Sequence, residues 1–175
     1  MINTKLNIKG VAKKVSTTRL SRHFTLAQFV NSRTAKAKGI SNNPPKRVVK
    51  NLKFLAINLE KVRVLLGFPI VISSCYRSKA LNTAVGGSKT SHHMRGLAVD
   101  FRCDKFGTPY RVCKKIAESE IEFDQLIHEY GRSRKDQWIH VGFGPKKRCQ
   151  ILTICASEDL YREGLHRYRK KKTKR

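Results

Sequence analysis

Two histidines and one aspartate stand in an order that suits a metal ion. His93 and Asp100 are seven positions apart, the first in a glycine-flanked loop and the second on a predicted strand; His140 sits on a later strand, two positions after Trp138. Two imidazoles and a carboxylate are a usual ligand set for catalytic zinc and leave a fourth position open. Such an ion brings the pKa of its water to about 7 and polarises a carbonyl, which is the chemistry of amide hydrolysis. A chain of 175 residues with six histidines contains many such triples, so on spacing alone these side chains read sooner as surface or core histidines than as ligands.

The elements that must position them follow from periodicity and turn signals. Thr25 and Gln28 have the spacing of a capping box and open a short helix that buries Phe24, Leu26, Phe29 and Val30. After the turn Ser41-Asn42-Asn43-Pro44-Pro45, the apolar residues Val48, Leu52, Leu55, Leu59, Val62 and Leu66 recur by fours and threes, one stripe of an amphipathic helix closed by Gly67. Pro69 to Ser74 reads as a strand, and the polar stretch through Arg77, Gly86, Gly87 and His93 as irregular. Leu97 to Cys103 is a strand, Thr108-Pro109 starts a helix to about Ala117, and Phe123 to Tyr130, Trp138 to Phe143 and Gln150 to Cys155 are further strands. Helices followed by strands with one intervening helix give an α+β domain.

Charge is distributed unevenly. The chain has 38 Lys and Arg against 12 Asp and Glu, a net charge of +26. No acid precedes Glu60, whereas eight of the 12 lie between positions 100 and 136, which marks that stretch as the place for carboxylate chemistry. From Arg167 onward seven of nine residues are basic, a solvated tail that attracts polyanions such as nucleic acid, anionic membrane or wall polymers. At 39% hydrophobic residues the chain can still bury one core, which excludes a wholly disordered basic protein. The expected layout is a basic arm over 1–19, one domain over 20–156 and a basic tail over 157–175. No window has the run of roughly 18 apolar residues that spans a bilayer, and residues 1–15 lack the apolar core of a secretory signal. The five cysteines form no C-x-x-C pair and read as reduced thiols.

The segment Ser91-His92-His93-Met94-Arg95-Gly96-Leu97-Ala98-Val99-Asp100 fits S-x-H-x-x-G-x-A-x-D. It resembles the zinc-binding signature of the D-Ala-D-Ala carboxypeptidase and L-Ala-D-Glu endopeptidase family of metallopeptidases. Ser74-Cys75-Tyr76-Arg77-Ser78 resembles that family's S-G-Y-R-S segment, and Trp138-Ile139-His140 its W-x-H segment, in the family's order. The resemblance runs from about Leu20 to Phe143 and is closest to the small phage and microvirus-type members.

The resemblance implies a Hedgehog/DD-peptidase-like α+β domain with a small antiparallel sheet and flanking helices, and one zinc ion per chain held by His93, Asp100 and His140. His92 falls on the variable position and reads as a bystander. Ser91 would support the loop or a ligand through its hydroxyl. Arg77 matches the family arginine and would hold an oxyanion or a substrate carboxylate. Several members carry an acid three positions before the last histidine, where this chain has Gln137. Glu129 matches an acidic position of the phage-type relatives and is the first choice of base; Asp136 is the second, displaced by one residue and so expected on the opposite strand face.

The resemblance implies a zinc-dependent hydrolase of peptidoglycan stem peptides, an endopeptidase or D,D-carboxypeptidase of phage-type wall degradation. It would be made in the cytoplasm and act on the wall after release, as an endolysin or with the virion. The tail would bind anionic wall or surface polymers, and nucleic acid only non-specifically. Two other classes stay open: a zinc-containing wall-binding protein without turnover, favoured by Gln137, and a basic nucleic-acid-binding protein, favoured by the charge but lacking any recognised motif.

Overall fold

A computed structural model describes residues 18–130, 136–155 and 160–167. In chain order the elements are α1 (Leu26–Val30), α2 (Arg33–Ala37), α3 (Lys46–Leu66), β1 (Val71–Ser74), α4 (Lys79–Ala84), a 3₁₀ turn (His92–Arg95), β2 (Ala98–Arg102), α5 (Pro109–Ala117), β3 (Gln125–Tyr130), β4 (Gln137–Gly142), β5 (Gln150–Cys155) and β6 (Leu160–Glu163).

Local chemistry accounts for most of these boundaries. Thr25 accepts a hydrogen bond from the backbone of Gln28 while the Gln28 side chain returns to Thr25, the reciprocal cap that starts α1. All six stripe residues of α3 are buried, and Gly67 ends the helix at φ 70°, a left-handed position that suits glycine. Pro109 sits in the first turn of α5, with Thr108 as its cap. Ser32 and Ser78 cap α2 and α4, two short helices; α4 lies in the stretch expected to be irregular, and α2 in a stretch with no expected element.

The six strands form one sheet in the order β1-β2-β4-β3-β5-β6. Every neighbouring pair is antiparallel except β3 and β5, which run parallel in the register Gln125 to Gln150 through Tyr130 to Cys155. The α+β class stands, but the sheet is larger than the small antiparallel one expected. The strand β6 and the parallel pairing account for the difference.

The packed unit also runs past the boundary expected at 156. β6 pairs with β5 from Leu152–Glu163 to Cys155–Leu160, Thr153 Oγ1 donates to Gly164 O at 2.8 Å, and His128 Nδ1 bonds His166 O at 3.0 Å. Charged residues flank β6 in sequence, so it reads as tail although its backbone completes the sheet edge. Most of the basic arm, residues 1–17, and the tail beyond Arg167 lie outside the described residues.

Strand alternation divides the sheet into two faces. Val99, Phe101, Leu126, Ile139 and Val141 point into the core, where α5 packs on β3 and β4 and α3 packs on α5. Asp100, Ile127, Glu129, Trp138 and His140 take the other face, which lines an open cleft. Gly96 ties the two together. Its φ is 68°, and a Cβ there would lie 2.9 Å from Val48 Cγ1 and 3.0 Å from Leu52 Cδ2, so the loop carrying His93 can lie directly on α3. Among the described residues no helix is long and apolar enough to cross a membrane, and Cys75, Cys103, Cys113 and Cys149 are free.

Candidate active site

The cleft encloses about 870 Å³. Asp100 and His140 face each other across the β2–β4 ladder, while His93 arrives from the 3₁₀ turn. His93 Nε2 lies 3.2 Å from His140 Nδ1 and 3.2 Å from Asp100 Oδ1; His140 Nδ1 is 2.8 Å from the same oxygen. Tetrahedral zinc with bonds of about 2.0–2.1 Å keeps its ligand atoms about 3.3 Å apart, so the three donors already stand near that triangle.

The surroundings fix the same choice of atoms. His93 Nδ1 donates to the Cys75 carbonyl at 2.6 Å, which leaves the Nε2 lone pair turned to the other donors. Arg77 Nη2 donates to Asp100 Oδ2 at 2.6 Å and Arg77 Nε to Ser74 Oγ at 2.9 Å, which turns Asp100 Oδ1 toward the histidines. Burial opposes ionisation of Asp100, but His93 and His140 outweigh it and hold the carboxyl well below the usual range. Ser91 Oγ accepts from the His93 backbone N–H at 3.3 Å and so steadies the turn. His93, Asp100 and His140 are the one group of three or more potential ligands that converges among the described residues. This donor set, with one histidine tautomer fixed by a carbonyl, fits a zinc ion.

Glu129 lines the cleft opposite Trp138 on the β3–β4 ladder, with Oε1 4.0 Å from His140 Nδ1. Burial, reinforced by the charge of Asp100, pushes its pKa up to about 7; His140, Arg77 and a hydrogen bond from the Trp138 side chain pull against that rise. The second choice of base, Asp136, and the glutamine at the family's acidic position stand elsewhere. Asp136 is exposed just before β4 and does not line the cleft. Gln137 is buried on the core face with Oε1 3.0 Å from His128 Nε2, so on this strand a residue three before the histidine points away from the cleft.

A family model for peptidase M15 matches residues 22–142, well over half of the chain. The chain belongs to the peptidase M15 family. M15 is the family of zinc D-Ala-D-Ala carboxypeptidases, and its zinc dependence agrees with the donor set described above. No curated protein matches the chain.

Sequence reasoning did not find three further contributors to the M15 site. The Cys75 carbonyl and the Ser74 hydroxyl lie within the S-C-Y-R-S segment, yet a backbone oxygen leaves no signal of its own and a serine hydroxyl a weak one. The third is a charged pair at the cleft wall. Asp124 has 1% of its side chain exposed and bonds Arg148 through both carboxylate oxygens, with His92 Nδ1 3.6 Å from its Oδ2. His92 therefore lines the cleft beside the ligands.

Proposed function

We propose that this M15 peptidase hydrolyses peptide bonds in peptidoglycan stem peptides, as an endopeptidase or a D,D-carboxypeptidase in phage-type wall degradation. The convergence of His93 Nε2, Asp100 Oδ1 and His140 Nδ1 within one open cleft carries this reading. These three atoms would hold one zinc ion, which when bound supplies Lewis-acid activation of water and of a peptide carbonyl.

The chain supplies the remaining chemistry. Glu129, its proton affinity raised toward neutrality, takes a proton from the attacking water at its carboxylate and returns it to the departing amine. Trp138 holds that carboxylate through a hydrogen bond. Arg77 keeps Asp100 oriented through Nη2, and its remaining N–H groups at the cleft wall meet the oxygen on which negative charge develops. The basic residues beyond Arg167 raise the local concentration on anionic wall polymers. Gln137, the feature favouring a wall-binding protein without turnover, points into the core and so gives that alternative no support.

Digestion of purified peptidoglycan, followed by mass analysis of released fragments, tests the reading. Peptide fragments should appear, vanish with a chelator and return on adding zinc. Intact peptidoglycan under all three conditions would overturn it.

A further inference from the structure

Arg148 lies beyond the matched segment 22–142, yet it lines the same cleft as the metal donors. Its guanidinium is gripped along one edge: Nε donates to Asp124 Oδ1 and Nη2 to Asp124 Oδ2, each at 2.8 Å. Asp124 is itself fixed, with 1% of its side chain exposed and its backbone N–H on Gly142 O at 2.8 Å. Two of the five guanidinium N–H groups are thereby used, leaving three for another partner. The Arg148 side chain remains 45% exposed, against 19% for Arg77, whose Nε and Nη2 are committed to Ser74 and Asp100.

Closing the 143–149 turn onto the sheet explains the buried carboxylate. It does not explain a guanidinium held rigidly with an unused edge at a cleft. A fork whose position is already fixed loses little further freedom when it meets a second planar anion, and carboxylate is the group that matches its geometry. Gln125 and Gln150, bonded to each other at 2.8 Å, continue the same wall.

Register places the anchor. The Asp124 backbone is bonded to Gly142, two positions along β4 from His140, so the residue that grips Arg148 stands about 7 Å along the strand from the backbone of that donor, the span of about two residues of extended peptide. We propose that Arg148, anchored by Asp124, binds a free carboxylate that the peptide carries within about two residues of the bond held at His93, Asp100 and His140. The proposal rests on the peptidase reading for the identity of the ligand as a peptide; the cleft geometry stands without it.

The test measures binding of a soluble stem peptide with its glutamate carboxylate free, and of its amidated twin, to the zinc-loaded protein by calorimetry. A Glu129→Gln background keeps the peptide intact. The free acid should bind roughly 10- to 100-fold more tightly than the amide, the value of hydrogen bonds to a charged group. Arg148→Gln should abolish that preference, leaving amide binding within about twofold. Asp124→Asn with Arg148→Gln removes the buried charge as well and serves if the single variant melts early. Absence of preference in the parent, or equal preference in parent and folded variants, would overturn the assignment. Peptide cleavage by the Glu129-intact protein is followed in parallel. No cleavage with Arg148-dependent binding would sink the peptidase reading alone, and cleavage with Arg148-independent binding would sink this inference alone.

Discussion

Replacing Glu129 by glutamine should make the metal-free protein more stable while destroying its activity. The Glu129 carboxyl is held at about 7 instead of its ordinary 4.5, because burial and the Asp100 charge disfavour ionisation. Its proton is thus bound more tightly in the folded than in the unfolded chain. The resulting stability is fully present below pH 4.5, is lost as pH rises through 7, and amounts to about 3 kcal/mol. That figure is an upper one, since 22% of the side chain meets solvent. Glutamine stays neutral and can still accept from the Trp138 side chain, so the variant avoids the loss. Thermal unfolding of chelator-treated protein should show nearly equal midpoints at pH 4.5 and a gain of roughly 6–12 °C for Glu129→Gln at pH 8. Zinc loading places positive charge beside the carboxylate and should shrink the gap. The variant should retain zinc while losing about 100-fold or more in rate. A gap independent of pH, or no stabilisation at pH 8, would refute the electrostatic reasoning; full activity would remove Glu129 as the base.

Further outcomes follow from the packing and from the charge of the tail. A chain ending at Ala156 loses β6 and the bonds of Thr153 to Gly164 and His166, several contacts worth about 1 kcal/mol each, so its melting midpoint should fall by at least about 5 °C. One ending at Arg167 should melt within about 1 °C of the full chain. Gly144→Ala would place a Cβ 2.8 Å from His92 Cε1 and 2.9 Å from Asp124 Oδ2, and should cost about 1–3 kcal/mol by chemical denaturation. The chain ending at Arg167 should cleave a small soluble peptide at the full-length rate but sediment less with sacculi at low salt. That difference should fade as the Debye length falls from about 10 Å at 0.1 M toward about 3 Å at 1 M.

The parts of the fold written in local patterns were legible in the sequence. The stripe from Val48 to Leu66 gave α3, Thr25 with Gln28 gave the start of α1, and Thr108-Pro109 gave the start of α5. The donors His93, Asp100 and His140 could be named because the segments Ser91 to Asp100 and Trp138 to His140 resemble motifs of the peptidase family; their spacing alone does not single them out. Partnerships between distant segments leave none. The parallel pairing of β3 with β5, the Cys75 carbonyl behind His93, and the grip of Asp124 on Arg148 are long-range contacts invisible to periodicity. β6 was hidden for another reason: its neighbours carry the charges of a solvated tail, and only pairing with β5 shows that its backbone belongs to the sheet.

The claim on which the rest depends is that three side chains hold one metal ion, and metal analysis of purified variants tests it most directly. The parent chain and His92→Ala should each carry about one zinc per chain, while His93→Ala, Asp100→Ala and His140→Ala should carry almost none. Equal zinc in His92→Ala and His93→Ala, or zinc retained when all three donors are replaced together, would contradict the assignment.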